Sequence, residues 1–267
     1  MTIEEKLNEI KRRGSENTLN KSKLSQGLCS MCNDTGWVYD KETNTSKPCK
    51  CYKERIMTNK IKFACIPNSY KDVRLDNFSG DVYADRTTLM SAVKDIKYWL
   101  AHFDEMKEEG IGIYLWSETK GSGKTRMACS LANELIKAHN MNVRFVTSLD
   151  IISEIKATWD RETRSDTEFA SESSLMRYLN STEVLVIDDF GTEVHRDWLD
   201  DKFYQIINTR YVNKLMTLYT SNKRLDDLSY DDRILNRINE RTYQIHFPEE
   251  SVRNLIAASR QRKMKEE

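Results

Sequence analysis

Residues 117–125, SETKGSGKT, are the strongest indication of the fold class in this sequence. An apolar run, IGIYLW at 111–116, comes directly before it, and a helical pattern near 124–139 begins at its end. A glycine-rich loop between a strand and a helix directs successive backbone N–H groups, and the N-terminal end of the helix, at one point. Because that geometry binds the phosphates of a nucleotide, the sequence predicts a nucleotide-binding α/β fold.

Individual residues of this loop have predictable roles. We expect Lys124 to reach the β- and γ-phosphates and the hydroxyl of Thr125 to bind Mg²⁺. The full pattern G-x4-G-K-[ST] would place its first glycine at position 118, where this chain has glutamate. The charge of Glu118 would either disturb the loop or point to solvent, and we favour the second because Gly121 and Gly123 still allow close backbone approach to phosphate. The predicted nucleotide-binding residues of the loop are Glu118, Thr119, Lys120, Gly121, Ser122, Gly123, Lys124, Thr125 and Arg126.

Two acidic residues end another predicted strand further along the chain. The run VLVIDD at 184–189 is typical of a buried strand that ends in Asp188 and Asp189. We expect Asp188 to hold Mg²⁺, directly or through water, and Asp189 to orient or deprotonate the attacking water. The polar tip TSN at 220–222 follows the next predicted strand, where Asn222 could hold the lytic water or sense the γ-phosphate. ATP or GTP binding is therefore the firmest functional prediction.

Apolar runs and helical patterns alternate along most of the chain. The apolar runs lie at 111–116, 143–147, 183–187, 215–219 and 242–247. The helical patterns lie near 124–139, 149–159, 172–180, 197–213, 231–240 and 250–265. This alternation predicts a mostly parallel sheet covered by helices on both faces, with ligands bound beyond the carboxyl ends of the strands.

Four of the six cysteines form two close pairs near the start of the chain. The predicted zinc ligands are Cys29, Cys32, Cys49 and Cys51. Turn residues at 33–36 and a short strand at 37–39 would let a hairpin bring the second pair beside the first, as a tetrahedral four-thiolate zinc site requires. The segment has too few apolar residues for a core, so bound zinc would supply its stability.

The 267 residues are 39% hydrophobic and 31% charged, which is a foldable composition. Forty-two basic and forty-two acidic side chains give no net charge, so no overall field draws the protein to nucleic acid or anionic membranes. Residues 1–66 carry thirteen basic and eight acidic residues, whereas residues 67–267 carry twenty-nine and thirty-four. Because proline also disfavours helix before position 67, we predict an N-terminal domain over 1–66 and an ATPase domain over 67–267.

The expected location is the cytoplasm. The start, MTIEEK at 1–6, lacks the apolar core of a secretory signal, and no window approaches the roughly 20 apolar residues of a membrane span.

Structural disulfides are rare in such a reducing compartment. Because Cys65 and Cys129 have no partner cysteines in the sequence pattern, both are expected to be small buried apolar residues. A short helix is predicted over the first fourteen residues.

Arginine residues in the last part of the sequence are further candidates. DDRILNRI at 231–238 places Arg233 and Arg237 four residues apart, hence on one face of a predicted helix. One of them could act on the nucleotide of a neighbouring subunit, a role that needs a planar and always charged donor. From the residues alone, surface ion pairs with nearby acids are the favoured interpretation, and Arg253 is similarly ambiguous.

Together these motifs resemble the AAA+ ATPases of the bacterial and phage replicative-helicase loader family, of the DnaC/DnaI type. The resemblance rests on GSGKT at 121–125, LVIDDFG at 185–191, TSN at 220–222, DDRILNRI at 231–238 and SVR at 251–253. IPNSYKDVRLDNF at 66–78 and INTRYVNKLMTLYTSN at 207–222 are also similar to that family, and the cysteine segment at 29–51 is similar to the zinc module of its DnaI-like branch.

The resemblance implies a P-loop AAA+ core with a reduced lid, since only about twenty residues follow the fifth predicted strand. It also implies roles: Walker B acids for Asp188 and Asp189, sensor 1 for Asn222, arginine finger for Arg237 and sensor 2, a nucleotide contact, for Arg253. Arg237 is preferred over Arg233 because NRI at 236–238 matches the finger triplet of the family.

The function that the resemblance implies is ATP-dependent loading of the hexameric replicative DNA helicase onto single-stranded DNA. ATP or ADP, Mg²⁺ and Zn²⁺ would be bound, the N-terminal zinc module would dock on the helicase, and ATP-bound copies would assemble side by side. Turnover would be slow and stimulated by the partner. Two alternatives stay open: a transposition helper ATPase of the IstB type, and a nucleotide-binding helicase adaptor or inhibitor with little turnover, which Glu118 would favour.

Overall fold

The computed structural model describes residues 29–266, except residues 79, 160–168, 170 and 195. The helix predicted over the first fourteen residues lies outside this described part. The chain divides into two compact units, Met1–Ile56 and Met57–Glu267. The division falls within helix α1 (Tyr52–Phe63), earlier in the chain than the boundary predicted at residue 67.

The first unit contains a small antiparallel hairpin. Its strands are β1 (Trp37–Asp40) and β2 (Thr45–Pro48). Before β1 the chain turns sharply, with left-handed backbone at Asn33, Asp34 and Gly36. Asparagine, aspartate and glycine adopt this conformation at low cost, so the turn predicted at these positions is confirmed.

The second unit contains a five-stranded parallel sheet with helices between its strands. The strands are β3 (Gly112–Trp116), β4 (Val143–Thr147), β5 (Val184–Asp188), β6 (Met216–Ser221) and β7 (Thr242–His246). The helices are α2 (Arg86–Ala101), α3 (Phe103–Glu109), α4 (Lys124–Lys137), α5 (Ser148–Trp159), α6 (Glu172–Ser181), α7 (Asp197–Val212), α8 (Asp232–Glu240) and α9 (Val252–Glu266). The five predicted strands and the six predicted helices are confirmed. Among the described helices, none combines the length and apolar composition that a membrane crossing requires.

The strand order in the sheet is β4-β5-β6-β3-β7, and every neighbouring pair is parallel. β3 therefore lies between β6 and β7, with Leu115 beside Thr220 and Trp116 beside Ser221. Because all five strands run in the same direction, their carboxyl ends meet along one edge. The loops that follow β3, β5 and β6 are thereby brought side by side.

The apolar side chains of the sheet divide between two clusters. Leu115 of β3 packs in one cluster with residues of α2 and α4, while Tyr114 packs in the other with residues of α5 to α8. Val186 and Ile187 of β5 divide in the same way. Successive side chains of a strand point to opposite faces, so a strand covered on both sides requires a nearly continuous apolar run.

A fully buried arginine, Arg210 of α7, joins three parts of the second unit. Its Nε donates to Thr217 Oγ1 at 2.9 Å, and its terminal nitrogens donate to the carbonyl oxygens of Leu179, Thr182 and Met216. Burial lowers the pKa of Arg210 to about 10. The guanidinium on α7 thus replaces its water shell with oxygen atoms of α6, of the residue that follows α6 and of β6.

The two cysteines outside the N-terminal pairs differ in environment. Cys129 of α4 is fully buried, as predicted. Cys65 is exposed, so the prediction that it is a buried apolar residue is wrong. Its backbone is left-handed, with φ of 51°, and its sulfur accepts a hydrogen bond from Arg144 at 2.6 Å. The neighbours Ala64 and Ile66 take the core positions, and the turn between them carries the thiol outwards.

Candidate nucleotide site and metal centre

The phosphate loop joins β3 to α4. Gly121 and Gly123 have left-handed backbone, with φ of 82° and 101°. A Cβ atom at position 123 would lie 2.4 Å from the hydroxyl of Tyr83, so only glycine fits there. The buried Tyr83 also donates a hydrogen bond to Ser122 O at 2.6 Å. Sequence reasoning missed Tyr83, since a single tyrosine before α2 carries no motif.

The side chain of Lys124 is buried inside this loop. Its ammonium group donates to Ser117 O at 3.0 Å, Thr119 O at 3.1 Å and Ser122 Oγ at 3.2 Å. Burial lowers the pKa of Lys124 to about 8, while nearby carboxylates favour the charged form. The cation is therefore held by neutral oxygens, which bind an ammonium less strongly than a phosphate does.

Asp188 lies at the end of β5, next to the first turn of α4. Its Oδ2 accepts a hydrogen bond from Thr125 at 3.2 Å, and its Oδ1 accepts one from Thr220 at 2.5 Å. Burial raises the pKa of Asp188 to about 6, although both hydroxyls oppose the shift. A hydroxyl and a carboxylate side by side are hard oxygen ligands, so Thr125 and Asp188 fit a magnesium ion.

The turn after β5 meets the polar tip after β6. Asp189 has left-handed backbone, with φ of 54°, and its N–H donates to Thr220 Oγ1 at 3.0 Å. Asn222 Nδ2 lies 3.5 Å from Asp189 Oδ1, and Ser221 Oγ donates to Phe190 O at 2.7 Å. All three residues of the tip therefore contact this turn, and Asp189 and Asn222 face the same space.

A cavity of about 440 Å³ opens beside the phosphate loop. The predicted site residues that line it are Lys120, Gly121, Ser122, Gly123, Lys124, Thr125, Arg126, Asp189, Asn222 and Arg253. Tyr70, Val252 and Ile256 line it as well and add apolar surface that sequence reasoning missed. The volume is in the range of roughly 300–1,000 Å³ typical of small-molecule sites, and apolar surface beside a phosphate loop suits the base of a nucleotide.

Glu118 and Thr119 are predicted nucleotide-binding residues that do not line this cavity. The side chain of Glu118 is exposed, and its backbone does not have a positive φ. Position 118 therefore does not require glycine here. The N–H groups of both residues donate to the carboxylate of Glu249, at 3.0 and 2.7 Å.

Arg233 and Arg237 lie on α8 and do not line the cavity either. Arg237 donates to Asn208 Oδ1 at 2.9 Å and to the hydroxyl of Tyr204 at 3.3 Å, both on α7. Arg233 is exposed and pairs with Asp231 at 3.0 Å. Neither arginine therefore contributes to the wall of this cavity in its own chain.

The four cysteines of the first unit converge on one point, and their sulfur atoms all lie within 4.8 Å of one another. The sulfurs of Cys29 and Cys49 are 3.6 Å apart, and those of Cys32 and Cys51 are 3.4 Å apart. Four sulfurs bound tetrahedrally at about 2.3 Å from zinc would be about 3.8 Å apart. The thiols therefore fit a zinc ion.

A protein-family model described as "IstB-like ATP binding protein" matches residues 85–257, more than half of the chain. The chain belongs to this family, whose members are P-loop AAA+ proteins that bind ATP. The family implies nucleotide and Mg²⁺ as ligands, and the site geometry above fits both.

Curated relatives include phage-like and bacterial proteins. "Phage-like element PBSX protein XkdC" of Bacillus subtilis is 23% identical over 245 residues, covering 88% of this chain and 87% of that protein. "Uncharacterized protein YqaM" of Bacillus subtilis is 23% identical over 202 residues, covering 73% of this chain and 60% of YqaM. "Replicative helicase loader DnaC" of Escherichia coli K12 is 26% identical over 151 residues, covering 56% of this chain and 57% of DnaC. The chain thus spans less than two thirds of YqaM and DnaC.

Solved structures of similar fold include two named for helicase-loader proteins. The crystal structure of DnaI has a TM-score of 0.54 at 25% identity, covering 69% of this chain and 95% of that chain. The crystal structure of the DnaC helicase loader has a TM-score of 0.55 at 22% identity, covering 68% of this chain and 100% of that chain. The predicted AAA+ fold class and the predicted resemblance to the loader family are both confirmed.

Proposed function

We propose that this protein is an ATP-dependent loader that binds the hexameric replicative DNA helicase and delivers it onto single-stranded DNA in phage or bacterial replication. The observation that carries the proposal is the presence, in one chain, of an AAA+ nucleotide site and a four-thiol hairpin. The similarity to proteins named replicative helicase loader supports it.

The catalytic part of the proposal assigns each residue a task. Lys124 and the loop N–H groups bind the phosphates, while Thr125 and Asp188 hold Mg²⁺, which neutralises charge on the phosphates. Asp189 orients or deprotonates a water in the cavity, and Asn222 positions that water. Arg253 contacts the nucleotide from α9, which begins beside the loop.

The binding part of the proposal assigns partners to the two units. The zinc-bound hairpin docks on the helicase, and ATP-bound copies assemble side by side with Arg237 of one copy acting at the nucleotide of the next. Contacts with the γ-phosphate exist in only one nucleotide state, and only such contacts can bias a switch between holding and releasing the helicase. The absence of net charge favours protein partners over nucleic acid, and DNA contact rests on the family alone.

The decisive experiment mixes the full chain with candidate replicative helicases and measures the mass of the complex with ATP, with ADP and without nucleotide. We expect a complex whose stoichiometry depends on ATP, and no ATP dependence for Lys124→Ala. Failure to bind any replicative helicase would contradict the proposal.

A second candidate function is that of a transposition helper ATPase, which the description of the matching family favours. The same mixing experiment with a transposase separates the two, since a helper ATPase would bind the transposase and no helicase. A nucleotide-binding adaptor with little turnover would bind the helicase but show equal, negligible hydrolysis in the native chain and in Lys124→Ala.

A further inference from the structure

A short segment after β7, PEES at residues 248–251, lies against two parts of the nucleotide site. We call it the clamp segment. Its two glutamates accept hydrogen bonds from different places: Glu249 from the first residues of the phosphate loop, and Glu250 from the residues before α2. Helix α9, which carries Arg253, begins directly after it.

Glu249 gathers four donors on one carboxylate. Thr119 N–H donates at 2.7 Å, Glu118 N–H at 3.0 Å, Ser117 Oγ at 3.1 Å and His246 Nε2 at 2.9 Å. Burial alone would raise its pKa, but the hydrogen bonds from His246, Glu118 and Thr119 hold the pKa of Glu249 at about 2. The group is therefore an ionised acceptor, and hydrogen bonds to an ionised acceptor are roughly twice as strong as neutral ones.

Glu250 contacts the chain just before α2. It accepts hydrogen bonds from the backbone N–H groups of Ala84, at 2.8 Å, and Asp85. These residues follow Tyr83, whose hydroxyl donates to Ser122 O at 2.6 Å. The clamp segment therefore holds the loop directly through Glu249 and indirectly through the chain that carries Tyr83.

The contacts of Lys124 explain why such a clamp matters. In this structure its ammonium donates to Ser117 O and Thr119 O, so it holds two of the same three residues from their carbonyl side. A phosphate in the cavity competes for that ammonium. The conformation of the first loop residues then depends on the hydrogen bonds that the Glu249 carboxylate accepts from the N–H groups of Glu118 and Thr119.

We propose that Glu249 and Glu250 are positioning residues that keep the phosphate loop in its phosphate-binding shape and couple it to α9. The contact from Arg253 N–H to Gly121 O, at 3.4 Å, completes the link between helix and loop. The inference rests on the nucleotide binding of the proposed function and is independent of the helicase partner.

The test compares Glu249→Gln and Glu250→Gln with the matched control Glu109→Gln in the full chain. Glu109 is likewise a carboxylate with polar partners, in its case Lys214 and Arg241, but it lies at the end of α3, before β3 begins. Dissociation constants for MgATP and MgADP are measured by competition with a fluorescent nucleotide. We expect Glu249→Gln to weaken both by about tenfold or more, which is about 1.4 kcal/mol. Glu250→Gln should act in the same direction, and Glu109→Gln should leave both constants unchanged.

Hydrogen exchange gives a readout that does not depend on nucleotide. The amides of Glu118 and Thr119 should exchange faster in Glu249→Gln and at the native rate in Glu109→Gln, because only the first variant removes their charged acceptor. If Glu249 had only a structural role, Glu249→Gln would lower the melting temperature, but the folded variant would bind nucleotide with the native affinity. If Glu249→Gln does not fold, Ser117→Ala, which removes one of the four donors, takes its place with the same expectation in direction.

Nucleotide affinities within twofold of the native values, with unchanged exchange at both amides, would overturn the inference even if the protein loads a helicase. Conversely, if the native chain binds no helicase but Glu249→Gln shows the weaker nucleotide binding and faster amide exchange, the inference stands and only the proposed function is contradicted.

Discussion

Asp188 and Asp189 are adjacent in sequence but occupy different environments. Asp188 is buried, accepts hydrogen bonds from two threonine hydroxyls and has its pKa raised to about 6 by burial. Asp189 is half-buried on a left-handed backbone and lines the cavity. The first environment suits a metal ligand and the second suits a group that handles water.

This difference predicts separate effects on binding and hydrolysis. Asp189→Asn should keep MgATP affinity near the native value and reduce turnover by about 100-fold or more, because acid–base assistance is worth roughly 10²–10⁴-fold. Lys124→Ala should instead lose measurable MgATP binding. Nucleotide titration and phosphate release measure the two effects, and equal turnover in the native chain and both variants would mean that the site is not an ATPase site.

Loss of the Arg210 guanidinium should destabilise the second unit, because the group is fully buried and donates four hydrogen bonds. Arg210→Met keeps a long side chain in the buried space but removes the guanidinium donor from all four oxygens, and each buried polar group left unsatisfied costs about 1–3 kcal/mol. We expect the free energy of unfolding, measured in urea, to fall by at least about 3 kcal/mol. The exposed Arg74→Met, which loses a surface pair with Asp76, should change it by less than about 1 kcal/mol.

The hairpin of the first unit is the element that most depends on a metal. β1 and β2 are four residues each, and every residue of β2 is exposed, so little apolar burial stabilises the hairpin. Because folding of such a segment is coupled to metal binding, the four thiolates and the ion would hold it together.

We therefore expect one zinc ion per chain by elemental analysis, and loss of that zinc in the double variant Cys29→Ser, Cys49→Ser. The control is Cys65→Ser, which changes a thiol outside the cluster and should retain zinc. Zinc retained in the double variant, or absent from the native chain, would contradict the four-thiolate site. The AAA+ unit should keep its melting temperature in the double variant, since none of the described residues in its core clusters belongs to the hairpin.

The connection between β7 and α9 should respond to pH through Glu249. Its pKa of about 2 lies below the ordinary value of 4.5, so the folded state favours the ionised form. The stabilisation is therefore fully present above about pH 4.5 and is lost as the pH falls towards 2. The difference in free energy of unfolding between the native chain and Glu249→Gln should be constant above about pH 5 and shrink below it. Urea unfolding at several pH values measures this, and a constant difference down to pH 3 would contradict the assignment.

At the scale of the whole molecule, the neutral total charge hides two parts of opposite sign. Residues 1–66 have five more basic than acidic residues, and residues 67–267 have five more acidic than basic residues.

The predicted finger, Arg237 of α8, donates hydrogen bonds to Asn208 and Tyr204 of α7 and does not line the cavity of its own chain. We therefore propose that Arg237 acts in an assembly of copies, at the nucleotide of a neighbour.

Mixing two inactive variants tests this arrangement. Arg237→Ala should lose turnover by roughly 10³-fold, as removal of an arginine finger does, while it keeps its own phosphate loop. Lys124→Ala keeps Arg237 but lacks its own nucleotide. Because a junction between the two contains one complete site, the mixture should recover part of the native ATPase rate. If Arg233→Ala, and not Arg237→Ala, shows this behaviour, the finger is Arg233, the more exposed of the two.

The elements and the phosphate loop were predictable because their signals are local. An apolar run such as 184–187 must be buried on both faces, and glycines at 121 and 123 permit left-handed backbone that other residues resist. The carboxyl ends of parallel strands meet at one edge, so the neighbourhood of Asp188 and Asn222 also followed from sequence order. Cys65 was predicted wrongly because a left-handed turn after α1 sets its direction, and no pattern in the sequence marks that turn.

The fold class, the positions of the helices and strands in the second unit and the residue types of both candidate sites follow from the residues alone, because each depends on local spacing and polarity. The surroundings of those residues do not: Tyr83 and Glu249 contact the loop, Glu250 contacts the chain that carries Tyr83, Tyr70 and Ile256 line the cavity, and Arg237 does not line it. These contacts join side chains far apart in the chain, and their distances depend on how the sheet and helices pack.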